Sequence, residues 1–122
     1  MTAVKSAFHV RTAPSHAVIT FSGFVDAASV EEAKPALQRL VPVTCPNIVV
    51  DLAGVEFLDS HGVGLFVSLL KRAHMNKGRL YFAGAGGQPA SVLNMVGFSG
   101  NSIIYCKTAS EAESLLDKSP EM

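Results

Sequence analysis

A chain of 122 residues with 48% hydrophobic and 16% charged residues has the size and composition of one globular domain. Ten basic residues balance ten acidic ones and no basic stripe is visible, which argues against direct nucleic-acid binding. No apolar run is long enough to cross a bilayer, so membrane insertion is not expected. We expect a single domain over residues 1–122, with an ordered core of about 8–117 and flexible termini.

The two cysteines and the start of the chain bear on location. Cys45 and Cys106 are isolated and lack the spacing of metal ligands. The first eight residues lack the apolar core of a signal peptide. These features predict a cytoplasmic protein with reduced thiols. The net charge of zero also allows a weak homodimer.

The first two predicted elements are strands. Residues 8–13 alternate weakly between apolar and polar side chains, and residues 16–23 form a more apolar segment. Pro14 and Ser15 between them are typical turn residues. The pattern predicts an antiparallel hairpin at one side of a sheet.

A helix is predicted next, although a proline complicates its start. Ser29 and Glu32 have the spacing of a capping box, which places the helix start at Ser29. Pro35 conflicts with that start, because a proline inside a helix removes a hydrogen bond and clashes with the preceding turn. The sequence therefore predicts either a start near Lys34 or an irregular first turn.

The central segment predicts a buried strand followed by a long helix. Residues 48–52 are apolar and rich in β-branched side chains, which is typical of a strand covered on both faces. Gly54 marks a flexible connection. Asp59 and Ser60 are both favourable N-cap residues for a helical pattern over residues 61–77. The hydroxyl of Ser60 is thus expected beyond the carboxyl end of a parallel strand, where ligands and chemistry occur in α/β sheets.

This central helix has apolar residues on more than one side. The stripe expected to face the core consists of Val63, Phe66, Val67, Leu70 and Ala73. Leu65 and Leu69 lie off that stripe, so we expect them to be exposed. Exposed leucines beside an exposed hydroxyl favour a partner-binding surface at Leu65 and Leu69.

The rest of the chain alternates strands with helices. The predicted elements are a strand over 79–83, a glycine-rich loop over 84–87, a helix over 89–96, a strand over 102–107, and a last helix capped at Thr108 or Ser110. The order is ββαβαβαβα. It predicts an α/β fold with a mixed, mostly parallel five-stranded sheet and about four helices.

Several residue groups resemble catalytic or metal sites. Asp59, Ser60 and His61 have the composition of a hydrolase triad, but adjacent residues at a helix start diverge, and the G-x-S-x-G elbow is missing. The loop over 84–87 lacks the Lys-Ser/Thr of a P-loop. The carboxylates are more typical of helix caps than of metal ligands; they are Asp26, Asp51, Glu56 and Asp59. We therefore expect no catalytic residue, metal or cofactor. On residue type alone, Ser60 is favoured as a simple N-cap.

The run Val-Asp-Leu-Ala-Gly-Val-Glu-Phe-Leu-Asp-Ser-His-Gly-Val-Gly over residues 50–64 resembles the STAS domain of bacterial anti-sigma factor antagonists. Gly-Phe-Val-Asp over residues 23–26 matches an earlier signature of that family, between its second strand and first helix. The element order agrees as well, so the resemblance covers nearly the whole chain. It implies a STAS-like fold.

The resemblance also implies a function. In the phosphorylated members, the serine at the position of Ser60 is modified by a serine-protein kinase that is also the anti-sigma factor. Unphosphorylated antagonist binds the kinase and frees the sigma factor for transcription, phosphorylated antagonist dissociates, and a phosphatase resets it. The residues expected beside the phosphorylation site are Asp26, Asp59, His61 and Gly62. His61 stands where the family usually has a small residue.

Two other classes of function remain open from the sequence. STAS domains also serve without phosphorylation, as scaffolds of signalling assemblies or as subunits of lipid-transport complexes. A small serine hydrolase is the least favoured interpretation, because the nucleophile elbow is missing.

Overall fold

The computed structural model describes residues 7–98, 100 and 102–117. Within them, five strands and four helices follow the predicted order ββαβαβαβα. The strands are β1 (Ala7–Ala13), β2 (His16–Val25), β3 (Asn47–Leu58), β4 (Leu80–Ala83) and β5 (Ile103–Cys106). The helices are α1 (Ala27–Leu40), α2 (Ser60–Met75), α3 (Gly87–Met95) and α4 (Ala109–Asp117). The flexible termini expected from the sequence lie outside the described residues.

The strands form one mixed sheet in the order β1-β2-β3-β4-β5. β1 pairs antiparallel with β2, and every other neighbouring pair is parallel. Helices α1, α2 and α3 contribute buried side chains to the larger hydrophobic core on one face, and α4 contributes Ala112 to a smaller cluster on the other. The predicted fold class is confirmed. None of the four described helices is long and apolar enough to cross a membrane.

The central strand β3 is longer than the sequence predicted, and it contains two β-bulges. It gains a residue relative to β2 before Gly54 and another after Val55. Each bulge shifts the side-chain alternation by one position. Leu52, Val55 and Leu58 therefore all face the core, at a spacing of three residues. The predicted connection at Gly54 is wrong, because Gly54 lies inside the strand and the strand continues to Leu58.

Helix α1 begins earlier than its predicted capping box. Asp26 is the N-cap: its Oδ1 accepts from the Ser29 amide at 3.1 Å, and its own amide donates to Ser29 Oγ at 2.9 Å. Ser29 is thus the third helical residue and not the cap, so the predicted start at Ser29 is wrong. Pro35 lies in the helix interior, so a start near Lys34 is wrong too. The proline is on the exposed side of the helix.

The predicted core stripe of α2 is displaced by one residue. The side of the helix that is buried consists of Gly62, Leu65, Phe66, Leu69 and Ala73. Leu65 is only 3% exposed and Leu69 only 2%, whereas Val67 is 36% exposed. The expectation that Leu65 and Leu69 are exposed is therefore wrong. The core-facing side of α2 was predicted wrongly because Gly62 has no apolar side chain and yet lies where the helix contacts the sheet closely.

An ion-pair cluster connects α4 to the opening hairpin. One oxygen of Glu113 accepts from Arg11 at 2.6 Å, and the other lies 2.7 Å from Nε2 of the buried His16. The hydrogen bond from Arg11, and then that from His16, hold the pKa of Glu113 below its ordinary value of 4.5. The same contact raises the pKa of Arg11. The charged form of Glu113 therefore stabilises the docking of α4.

Stability should consequently fall in acid. A carboxyl group with a lowered folded-state pKa stabilises the fold above its unfolded value, and this contribution is lost as the pH falls through the folded value. We expect Glu113→Gln to cost about 1 kcal/mol at neutral pH, since Arg11 is half exposed, and progressively less below pH 4.5. Urea unfolding at stepped pH measures this, with Glu31→Gln on exposed α1 surface as the control. A cost that does not change with pH contradicts the assignment.

Candidate functional site

Two helices begin side by side at the carboxyl edge of the sheet. Val25 at the end of β2 pairs with Leu58 at the end of β3, and the Asp59 amide donates to the Val25 carbonyl at 3.2 Å. The next residue on each strand, Asp26 or Asp59, is the N-cap of the helix that follows. The structure thus places Asp26 and Asp59 at neighbouring helix starts.

Ser60 is the first residue of α2, one residue before the predicted helical pattern over residues 61–77, and it is not the N-cap. Asp59 Oδ1 accepts from the amides of His61 at 2.8 Å and Gly62 at 3.2 Å. Ser60 is exposed, and within the described part of the chain its hydroxyl has no hydrogen-bond partner. The interpretation of Ser60 as only an N-cap is therefore wrong. Because Asp59 performs the capping, the Ser60 hydroxyl remains accessible to another molecule.

The neighbouring histidine does not make Ser60 a nucleophile. His61 has an exposed side chain, and its Nδ1 lies 3.5 Å from Asp59 Oδ2. Neither group is hydrogen-bonded to the Ser60 hydroxyl among the described residues. A serine nucleophile needs a base within hydrogen-bond distance, with a third group orienting that base. Asp59 and His61 approach each other, but neither is hydrogen-bonded to the Ser60 hydroxyl in the part of the chain that the structure describes, so the three residues do not form a triad.

The two glycines after His61 have opposite surroundings. A Cβ built on Gly62 overlaps Leu58 Cδ1 and lies 2.9 Å from the Val25 carbonyl oxygen. This close approach fixes the first turn of α2 against the ends of β2 and β3. A Cβ on Gly64 meets nothing within 4 Å. Gly64 therefore leaves bare backbone on the surface, one turn beyond Ser60.

The exposed side of α2 continues from Ser60 along the helix. Ser60, Gly64, Val67 and Lys71 are spaced so that they share one side, and all four are exposed. We call these four residues the serine face of α2. Since Leu65 is buried, the exposed apolar side chain nearest Ser60 on this face is that of Val67.

A residue that the sequence did not single out lies at the same edge. The Leu58 amide donates to Gln88 Oε1 at 2.8 Å, and Gln88 Nε2 donates to the Leu58 carbonyl at 2.9 Å. Gln88 follows the glycine-rich loop and is the second residue of α3. No local pattern indicates such a contact, because it joins residues that are 30 positions apart.

Metal binding has no support in the described residues. They contain no group of three or more His, Cys, Asp or Glu side chains arranged to hold a metal ion. Asp26 and Asp59 are occupied as caps, and Asp51 accepts from the Ala53 amide at 3.1 Å. What the site offers is an exposed hydroxyl on a rigidly held helix start.

The described fold is a mixed five-stranded sheet with four helices and an exposed serine at the start of the second helix. The STAS domain family matches residues 7–112, and the chain belongs to that family. The chain is 29% identical to an anti-sigma-B factor antagonist of Staphylococcus epidermidis over 79 aligned residues. These residues make up 65% of this chain and 73% of the relative.

Solved structures share the fold at low identity. A crystal structure of an anti-sigma factor antagonist from Mycobacterium paratuberculosis superposes with a TM-score of 0.79 and 19% identity, covering 93% of this chain and 96% of the other. The phosphorylated form of the Bacillus cell-fate determinant SpoIIAA superposes with a TM-score of 0.72 and 21% identity, covering 90% and 99%. The predicted family is confirmed.

Proposed function

We propose that this chain is an anti-sigma factor antagonist, a binding protein and not an enzyme, and that Ser60 is its phosphorylation site. The observation that carries the proposal is the exposed Ser60 hydroxyl, which has no hydrogen-bond partner within the described residues, at the first position of α2. The names of the similar proteins support the role. The expected partner is an anti-sigma factor that is also a serine-protein kinase in the cytoplasm, and a phosphatase resets the switch.

The site suits a kinase substrate. A kinase must position an acceptor hydroxyl in line with the transferred phosphoryl group, and catalysis depends largely on that positioning. Ser60 is presented by a helix whose first turn is fixed by the Asp59 cap and by the close contact at Gly62. The hydroxyl is not required for capping, so its modification leaves the helix start intact.

The neighbours of Ser60 have different proposed roles. Asp59 and Asp26 hold the two helix starts in place and set a negative charge near the acceptor. Gly62 seats α2 on the sheet. His61 is exposed next to the acceptor, so its ring contacts any partner that approaches Ser60 and contributes to partner choice.

The partner surface is proposed on the serine face and not on the two leucines. Leu65 and Leu69 are buried and cannot contact a partner in the folded protein. A protein that reaches Ser60 also meets the bare backbone at Gly64 and the exposed side chain of Val67. The open surface at Gly64 lets a partner helix or loop approach closely.

Mapping of the phosphate tests the proposal directly. The wild-type protein is incubated with ATP and the kinase captured from the source cells by affinity for this chain, and the phosphorylated residue is located by mass spectrometry. We expect phosphate on Ser60, none after Ser60→Ala, and unchanged modification after Ser68→Ala on the same helix. If Ser60 carries no phosphate and ATP changes no affinity, the chain is a constitutive STAS scaffold or subunit.

Added bulk at Gly64 should block the partner without harming the fold. A Cβ at this position meets nothing within 4 Å, so the Gly64→Phe side chain can extend into solvent. We expect affinity for the kinase to fall more than about tenfold, because the ring occupies the interface centre. Calorimetric titration measures it. Ser114→Phe, which adds the same bulk to exposed α4 on the opposite face of the sheet, is the control and should bind normally.

A further inference from the structure

The last residues of β3 lie beyond the end of their neighbouring strand. β4 ends at Ala83, which pairs with Asp51, so β3 continues from Leu52 to Leu58 without β4 beside it. On the other side, Asp59 donates to Val25 of β2. Backbone groups of successive residues in a strand point to opposite sides. The amide and carbonyl of Leu58 therefore point away from β2, toward the space that β4 leaves empty.

Gln88 occupies that space. Its side-chain amide accepts from the Leu58 amide and donates to the Leu58 carbonyl, at 2.8 and 2.9 Å. This is the pair of hydrogen bonds that another strand would supply. Leu58 as a whole residue is only 1% exposed, so its backbone groups have little access to water, and leaving them unpaired is costly. One glutamine thus completes the sheet at the residue two positions before Ser60.

We call the two hydrogen bonds between Gln88 and Leu58 the clamp. The helix that carries Gln88 is anchored in the core. Pro89 and Leu93 of α3 are buried, and Leu93 belongs to the larger core. The glycine-rich loop brings α3 into place: Gly84 and Gly87 have positive φ values of 71° and 53°, which side-chain-bearing residues rarely adopt. The loop that resembled a phosphate cradle in the sequence therefore turns the chain so that Gln88 reaches Leu58.

We propose that Gln88 is a positioning residue for Ser60, acting through Leu58 and Asp59 to fix where α2 begins and so how the hydroxyl is presented to the kinase. The inference rests on the proposed function for the role of Ser60. In this role α3 supports the presentation of Ser60, and it has no other part in the proposed phosphorylation. Asp59 stands between the clamp and Ser60, since its amide bonds to β2 and its carboxylate caps the helix.

Two variants of the whole chain separate the hydrogen bonds from the side-chain volume. Gln88→Met keeps the length and removes both bonds. Gln88→Glu keeps an acceptor for the Leu58 amide and loses the donor to its carbonyl. Gln38→Met and Gln38→Glu, on the exposed surface of α1, make the same chemical changes away from the edge. Urea unfolding first establishes that each variant is folded.

Hydrogen exchange of individual amides, followed by NMR, tests the clamp without any kinase. We expect the Leu58 amide to exchange about tenfold faster in Gln88→Met, equivalent to ~1.4 kcal/mol, and to stay closer to the wild-type rate in Gln88→Glu, which keeps the acceptor for that amide. Core amides of β2 should be unchanged, and so should all amides in the Gln38 variants. An unchanged Leu58 rate in Gln88→Met overturns the proposal. A uniform rise across the core also overturns it, because that indicates only general destabilisation.

Phosphorylation kinetics test the presentation of Ser60. With the captured kinase and ATP, we expect kcat/KM for Ser60 to fall about tenfold in the Gln88 variants, at temperatures where they are fully folded. Wild-type values in these variants overturn the positioning role while leaving the proposed function intact. If the wild-type chain itself receives no phosphate on Ser60, the proposed function fails, and the role of Gln88 in presenting Ser60 fails with it.

Discussion

Replacing Gly62 by alanine is expected to destabilise the protein by about 1–3 kcal/mol, the usual cost of overpacking a filled site. The new methyl group overlaps Leu58 Cδ1 and lies 2.9 Å from both Val25 Cγ1 and the Val25 carbonyl oxygen. Leu58 and Val25 are each only 1% exposed, so neither has free space to move into. The first turn of α2 must instead shift outward, and Ser60 shifts with it.

Gly64→Ala, one half-turn further along the same helix, is the matched control. Its methyl group enters open space, so only helix propensity changes, and we expect stabilisation by about 0.5–1 kcal/mol. Urea unfolding of both variants gives the two free energies, and their opposite signs are the expected result. If Gly62→Ala is as stable as Gly64→Ala, α2 is not seated on the strand ends as described.

Much of the fold could be predicted because local patterns and tertiary structure agree. The β-branched run at residues 48–52 is buried on both faces, and α2 begins at Ser60, within one residue of the start that its capping signals predicted. The prediction of β3 failed where tertiary structure changed the regular alternation of buried and exposed side chains. The bulges in β3 give a spacing of three among Leu52, Val55 and Leu58, which resembles neither a regular strand nor a clear helix.

The site was predicted in part for the same reason. Asp59 and Ser60 carry local capping signals, so the start of α2 follows from the sequence, whereas the start of α1 at Asp26 was missed because the capping box was assigned to Ser29. The orientation of α2 does not follow, because apolar residues surround the helix and only its contacts with the sheet decide which are buried. Gln88 could not be identified at all, since a glutamine after a glycine loop has no local signal for a strand-like contact.

Phosphorylation of Ser60 is expected to weaken kinase binding by at least about a hundredfold, or ~2.8 kcal/mol, while leaving the fold almost unchanged. The amides of His61 and Gly62, which a phosphate at a helix start would otherwise bind, already donate to Asp59. The phosphate therefore gains little from them and lies beside a carboxylate. Its roughly −1.5 to −2 charges point to solvent, and only a partner that covers the serine face must desolvate them.

The stability of three variants checks this account of the helix start. Ser60→Ala removes no cap, so its unfolding free energy should stay within about 0.5 kcal/mol of wild type. Asp59→Ala removes the cap and should cost about 0.5–2 kcal/mol. Ser60→Asp should be as stable as wild type. Its affinity for the kinase should lie between that of wild type and that of the phosphoprotein, since aspartate adds only one charge. If Ser60→Ala is as destabilised as Asp59→Ala, Ser60 contributes to the cap and the assignment is wrong.

Affinity for the captured kinase then measures the switch. Calorimetric titration compares the kinase affinities of wild type, Ser60→Ala and a protein with genetically encoded phosphoserine at position 60. We expect ATP to weaken binding of wild type and to leave Ser60→Ala bound. Because the Asp59 cap does not depend on the Ser60 hydroxyl, it is preserved in all three proteins, and a difference in affinity therefore reports the interface and not the fold. Equal affinity of the phosphoserine protein and wild type, at equal stability, would show that Ser60 does not control the partner.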